Sequence, residues 1–438
     1  MADLALEPAL SGTVRLYDIE RQAAETNAVI GNRLTARSDT RGAWRYETAE
    51  SLESALEGAD FVIASILPGT FDDMASDVHA PESIGVWQSV GDTTGPGGVL
   101  RALRTIPQYE AIAGAVRACC PDAWVINYTN PLALCVRTLY ETFPAIKAFG
   151  CCHEVFGTRR LLATIARREL GLSAATMEDI GVNVLGINHF TWFDRASCGG
   201  IDLLPVFRDL AERKAESGYE QEEGRPWNTD WFSSAERVKF DLCRRYGLIA
   251  AAGDRHLAEF MPPRYLKDPE TVAAWRFSLT PVSWRKENDA ALRARAARLA
   301  AAKEDFAPTP SGELGVGLMK TLLGLGASAG LLTNVNLPNR GQIAGLPMGA
   351  VVESNAVFGR DSLEPLISGR LPPAVEDLVG AHLTNQELVL RAALGRDLRA
   401  ALPAFLDDPL MTGARGEAAA LFDRMLANNE GSLAPYYG

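Results

Sequence analysis

Positive charge and histidine are both scarce in this chain. Its 438 residues include 43 Lys and Arg against 55 Asp and Glu, for a formal net charge of −12, and only five histidines. An acidic balance argues against a general binder of nucleic acid or of anionic membranes. No run of about 18 apolar residues suggests a membrane span. The opening MADLALEPALSG has neither the basic region nor the apolar segment of a signal peptide. Seven cysteines, an odd number without dense regular spacing, do not make a secreted disulfide scaffold, so a reducing, cytoplasmic setting is expected. Internal repeats are absent, and the one biased stretch, ALRARAARLAAAKED (291–305), reads as a long exposed helix. What remains is ordinary globular material, 47% hydrophobic and 22% charged. It is enough for two or three domains or one large α/β body.

Strand-like and helix-like segments alternate through the first 150 residues. TVRLYDIE (13–20) is a short apolar run ending in acid, and ESALEGADFVIASILPG (53–69) reads as a helix leading into a buried strand. AIAGAVRACCPDAWVINYTNP (111–131) repeats that pattern, and AIKAFGCCHEVFG (145–157) adds another short strand. Such alternation implies a mostly parallel, doubly wound sheet, in which ligands collect at the carboxyl ends of the strands. Asp18, Pro68, Asn130 and Cys152 all sit at such ends.

TVRLYD looks like the second strand of a dinucleotide-binding fold, with Asp18 placed to hydrogen-bond a ribose. A glycine-rich phosphate loop should precede it by roughly 20 residues. The stretch before Asp18 contains no such loop, and MADLALEPAL reads instead as the tail of a helix. A sheet without its first strand and glycine loop is therefore expected, and with it weak binding of NAD. Beyond about residue 170 the pattern changes. IGVNVLGINHFTWFDRAS (180–197) looks like paired strands, and 205–310 is mainly helical. Residues 331–359 read as strands and loops, and helices return from about 362. The expected division is thus a Rossmann-like part, 1–170, and an α+β part, 171–438.

Four polar clusters stand at these strand ends and turns. GCCHEVFG places Cys152, His153 and Glu154 together. Cys152 is either a small buried hydrophobe or a metal ligand, and His189 of GINHF, after an apolar strand, is the partner it would need. NYTNP offers an Asn pair that is either a turn or a set of donors for a polar ligand. DTTGPGG (92–98) is either a flexible loop or a backbone cradle for a polyhydroxylated substrate. AAGDRHLAEF (251–260) brings Asp254, Arg255, His256 and Glu259 together, as a solvated helix start or as a base with a cationic clamp.

The series LYDIE, GADFVI, DTTGPGG-x3-ALRTIP, DAWVINYTNP, GCCHEVFG, GINHF and NLPNRGQIAGLP resembles the family-4 glycoside hydrolases, in order and across nearly the whole chain. The resemblance implies a Rossmann-like doubly wound sheet with a C-terminal α+β domain of the lactate/malate-dehydrogenase type. It also implies NAD and a divalent metal, usually Mn2+. That family departs from the two-carboxylate scheme of glycosidases. It oxidises the sugar at C3, removes the acidified C2 proton, eliminates the C1 group and then reverses the oxidation. The tetrapeptide Cys-His-Glu-Val (152–155) resembles the branch acting on α-galacturonides. α-Galactosidase and α-glucuronidase specificities, a plain NAD-dependent dehydrogenase and a catalytically impaired sugar-binding protein stand as alternatives.

Carried over by that resemblance, Cys152 and His189 are the metal ligands, and Asn130 with Glu154 meets the substrate. Asp18 and Asn127 lie at the cofactor. His153 stands where an acid is proposed, Asp254 and then Tyr246 are the candidate bases, and Arg255 pairs with the uronate carboxylate. The partner is a small galacturonide, with no nucleic acid or membrane, and the assembly a homodimer or homotetramer.

Overall fold

The computed structural model describes residues 1–220, 226–326 and 330–436. The chain opens with helix α1 (Ala2–Leu6), strand β1 (Ser11–Leu16), helix α2 (Arg21–Thr35) and strand β2 (Ala43–Thr48). The two strands form a parallel pair of their own. After α3 (Leu52–Leu56) come β3 (Phe61–Ala64), α4 (Phe71–His79), the long α5 (Gly95–Cys119), β4 (Trp124–Asn127), α6 (Leu132–Thr142) and β5 (Lys147–Gly150). Strands β3, β4 and β5 are parallel neighbours. The parallel part of the sheet is thus in two pieces. Strand β3 ends the larger piece, with Ile63 53% exposed.

On its other side the larger sheet is extended by strands from late in the chain. Helix α7 (Glu154–Leu170) leads to the hairpin β6 (Ile180–Ile187) and β7 (Phe190–Cys198). The short strands β8 (Ile201–Asp202) and β9 (Ile249–Ala250) pair with β7. Beyond α8 (Leu204–Arg213), α9 (Arg237–Tyr246) and α10 (Asp254–Glu259) come β10 (Leu331–Pro338), β11 (Ile343–Ala344), β12 (Val351–Gly359) and β13 (Ser362–Pro365). Strand β10 runs antiparallel beside β5, giving the order β13-β12-β10-β5-β4-β3. The sheet therefore draws strands from both sides of residue 170.

Alternation along the strands explains how this sheet is covered. Val125 and Ala148 face one side, packing with Tyr109 and Val116 of α5 and Leu139 of α6. Ile126 and Phe149 face the other, against Leu318 and Leu322 of the helix Gly315–Leu322. The largest core gathers Leu185, Ile187, Phe190 and Trp192 of the β6–β7 hairpin with Leu100 and Leu103 of α5 and the C-terminal helices. Phe190 stacks on Phe260 at 4.9 Å. Each of these fully buried side chains contributes about 1.5–3 kcal/mol. Together they drive the hairpin tip, Asn188–His189, into the junction between sheet and helices.

Candidate active site

The tip of the β6–β7 hairpin is a two-residue turn, since Ile187 faces Phe190 in register. His189 takes a left-handed conformation there, with φ of 64°. That conformation is sparsely populated by residues with a Cβ. It places the imidazole, 4% exposed, against the N-terminal approach of α5. The ring stacks on His256 of α10, with centroids 3.8 Å apart. Ligand atoms of Asp92, His189 and His256 all lie within 4.8 Å of one another.

Hydrogen bonds fix each member of this triad. The Thr93 hydroxyl donates to Asp92 Oδ1 at 2.7 Å and lies 2.9 Å from His189 Nδ1. With its one proton given to Asp92, Thr93 accepts from Nδ1–H, which leaves the Nε2 lone pair of His189 for a ligand. Asn130 Nδ2 donates to Asp92 Oδ2 at 3.1 Å, so the NYTNP turn holds the DTTGPGG loop. Glu154, in the first turn of α7, accepts from Gly253 N at 2.7 Å, and its other oxygen is 3.7 Å from His256 Nε2.

Electrostatics suit a cation. Burial and the neighbouring His256 ring lower the pKa of His189 to about 3, against the pull of Asp92 and Glu154. Burial likewise lowers His256. Both rings are neutral at pH 7 and free to donate lone pairs. Burial raises the carboxyls of Asp92 and Glu154, whereas hydrogen bonds from Thr93 and from Gly253 N, and the facing imidazoles when these are protonated, lower both to about 2. Two imidazoles and a carboxylate form a donor set for a borderline divalent ion.

Helix α10 and the glycines of DTTGPGG build the support. The Ser89 hydroxyl donates to Arg255 O at 2.6 Å, and Glu259 Oε1 accepts from Val90 N at 2.7 Å and Gly91 N at 2.9 Å. Residues 89–91, and so Asp92, are pinned to the helix that carries His256. A Cβ on Gly98 would meet the Thr93 carbonyl carbon at 2.6 Å, and one on Gly97 would meet Gly91 O at 2.7 Å. These glycines let α5 close on its own leading loop. The stretch is packed into the fold rather than forming a flexible loop.

The other expected site residues are distributed as follows. Cys152 is half-buried, its thiol facing Glu353, Glu154 and Asn188 and raised well above its usual pKa by desolvation. It lies outside the triad but beside the residue that precedes His189. His153 caps α7, exposed, with Nδ1 3.3 Å from Glu313. Asp254 does not turn to the histidines. Its oxygens accept from Val238 N at 3.1 Å and Lys239 N at 3.0 Å, closing the N-terminus of α9, and burial with neighbouring Glu236 raises it to about 7. Tyr246 lies edge-on to Trp192, 5.8 Å away, on the core side. Arg255 Nη2 donates to Ser89 O at 3.1 Å and to the Thr280 hydroxyl, beneath the Phe232 ring.

For a dinucleotide the fit is incomplete among the described residues. Asp18 is exposed just beyond β1, its Oδ1 accepting from Glu20 N at 2.8 Å. Asn127 spends its amide internally. Its Oδ1 accepts from Thr129 N at 3.0 Å and from the Tyr109 hydroxyl, and its Nδ2 donates to Thr129 O at 3.1 Å. A glycine-rich turn from a strand into a helix, the usual seat of a pyrophosphate, is not among these residues. Asp92 and His256, which complete the cluster around His189, were not among the ligands expected from the sequence.

Comparisons with known proteins agree on kinship. The Family 4 glycosyl hydrolase profile matches residues 1–167, and that of the Family 4 glycosyl hydrolase C-terminal domain matches 184–411. The α-galacturonidase of Thermoanaerobacterium saccharolyticum is 56% identical over 431 residues, covering 98% of this chain and 92% of that protein. The α-galacturonidase of Bacillus subtilis is 52% identical, covering 97% and 93%. A solved Bacillus subtilis structure described as a glucosidase superposes with a TM-score of 0.92 at 52% identity, covering 97% of this chain and 95% of the other. A solved 6-phospho-α-glucosidase from gut microorganisms shares the fold, with a TM-score of 0.76 at 20% identity, over 96% of this chain and 92% of that one.

Proposed function

The chain belongs to the family 4 glycosyl hydrolases, and from that premise we propose that it hydrolyses α-galacturonides with the help of NAD and a divalent metal such as Mn2+. The observation that carries the substrate is 52–56% identity to α-galacturonidases over nearly the whole chain. Identity to the α-galactosidase of Bacillus subtilis is 27%. Support for the cofactors comes from the convergence of Asp92, His189 and His256 and from the 6-phospho-α-glucosidase structure, which contains NAD and Mn2+. When bound, the two cofactors make the sugar's C2 proton removable by reversible oxidation at C3.

The chain's own residues have separable tasks in this reading. His189, His256 and Asp92 hold the metal, with Cys152 the further expected ligand beside Asn188. Thr93 fixes the His189 tautomer, and Asn130 holds Asp92 while facing the sugar. Glu154, ionised beside His256, is the better-placed base, because Asp254 is bound into α9 and Tyr246 faces the core. His153, exposed at the rim, protonates the departing oxygen. Cytoplasmic location and a homodimer or homotetramer belong to the same proposal. All seven cysteines are free, and Met348 and Ile367 leave large apolar side chains 71% and 84% exposed.

Solvent exchange tests the reaction. Turnover of an α-galacturonide in D2O should place deuterium at C2 of the released galacturonate. Product that retains protium at C2 would contradict elimination.

A further inference from the structure

A cleft of about 320 Å³ opens outward from Glu154, walled by His153, Gly157, Arg160 and Lys239 and also by the acidic Glu220, Asp230 and Glu236. Its cations are not equivalent. Lys239 is buried, with Nζ 2.7 Å from Glu236 and 3.2 Å from the Thr158 hydroxyl. His153 has its Nδ1 3.3 Å from Glu313. Arg160 is exposed, and among the described residues its guanidinium makes one hydrogen bond, to the Met177 sulfur at 3.9 Å. No carboxylate among the described residues lies within ion-pair distance of it.

Helix geometry turns that guanidinium toward the N-terminal end of α7. Side chains on a helix lean toward its N-terminus, and here that is the end carrying His153 and Glu154. A Cβ placed on Gly157 would lie 3.9 Å from Arg160 Nη2. The guanidinium thus lies close to Gly157, in the same cleft wall as Glu154. Arg255, the other candidate, is buried and holds Ser89 O and the Thr280 hydroxyl. Using it for a substrate would release the loop that carries Asp92.

Resting on the galacturonide reading above, we propose that Arg160 is the residue that recognises the substrate's carboxylate, through a two-pronged charge-assisted pair at the open wall of this cleft. The planar fork matches a carboxylate, and partial exposure of the site means that recognition is not spent on desolvating a buried cation. Arg160 acts on binding and specificity, while the proton-moving groups lie one helical turn or more toward the N-terminus of α7.

The test is kinetic and calorimetric on the full chain with Mn2+ and NAD. Arg160→Met should raise KM for p-nitrophenyl α-D-galacturonide, and the dissociation constant of galacturonate, by about tenfold or more. It should leave kcat within a few-fold and the weaker binding of galactose unchanged, and Arg160→Lys should recover part of the loss. An unshifted thermal midpoint checks that the exposed substitution leaves the fold intact. Galacturonate affinity within twofold of the parent chain in Arg160→Met overturns the proposal, as does equal loss for galacturonate and galactose. Absence of galacturonide turnover by the unmodified chain would instead contradict the function proposed above. Calorimetry of galacturonate would still decide the role of Arg160.

Discussion

His189 combines three costs that a merely structural histidine would avoid: a left-handed backbone, full burial, and a second imidazole stacked on its face. Each is offset if the ring's free nitrogen meets a cation. Asp92→Asn and His256→Ala should therefore each weaken Mn2+ binding, measured by calorimetry, by about tenfold or more, the range seen when metal-site groups are altered. Asn130→Ala should do the same more mildly, by releasing the Asp92 carboxylate. The histidine also has a pH signature. Its folded pKa is lowered, so between about pH 6.5 and 3 the unfolded chain binds a proton that the folded chain does not. Stability from this group is full above that window and is lost as pH falls. In chelator-treated protein, His189→Gln should thus gain on the parent chain by roughly 1.4 kcal/mol per pH unit between about pH 6 and 4. Denaturant unfolding at those pH values checks it, and a constant gap would mean that His189 is protonated in the fold.

Helix α10 shows what a charged run in a sequence conceals. Arg255 and Glu259 are four apart and share one helix face, and both hold residues 89–91. Asp254 sits at the helix start and serves α9, while His256 points to His189. The i,i+4 pair was readable from the sequence. The direction of the histidine was not, because it depends on where a distant hairpin tip lands. Hairpin and tip were themselves legible, since two apolar runs flank Asn188–His189. Asp92 was hidden for a different reason. DTTGPGG has the composition of a mobile loop, and only the packing of α5 against it shows why glycine is needed. Gly98→Ala should therefore cost about 1–3 kcal/mol and weaken Mn2+ binding, since its Cβ would strike the Thr93 backbone. Gly114→Ala, on the same helix with open space around it, should be neutral or stabilising by up to about 1 kcal/mol. Equal losses from both would show that α5 responds to substitution generally.

At the scale of the whole molecule, the alternation of strands and helices was enough to expect parallel strands with ligands at their carboxyl ends. It could not show that β10, β12 and β13 return from the far end of the chain to complete the same sheet, because antiparallel pairing across some 180 residues leaves no local mark. That return carries Glu353 and Asn336 to the neighbourhood of Cys152. The cluster of Asp92, His189 and His256 likewise joins three separate parts of the chain around one core. The central claim is that this assembly cleaves α-galacturonides only with its cofactors in place. The direct measurement is release of p-nitrophenol from p-nitrophenyl α-D-galacturonide by the full chain, with Mn2+, NAD and a thiol reductant. Release that stops on chelation or on omission of NAD, and that falls sharply in Asp92→Asn and His256→Ala, is the predicted result. Release indifferent to metal and NAD, or none from folded, metal-loaded protein supplied with both, would contradict it.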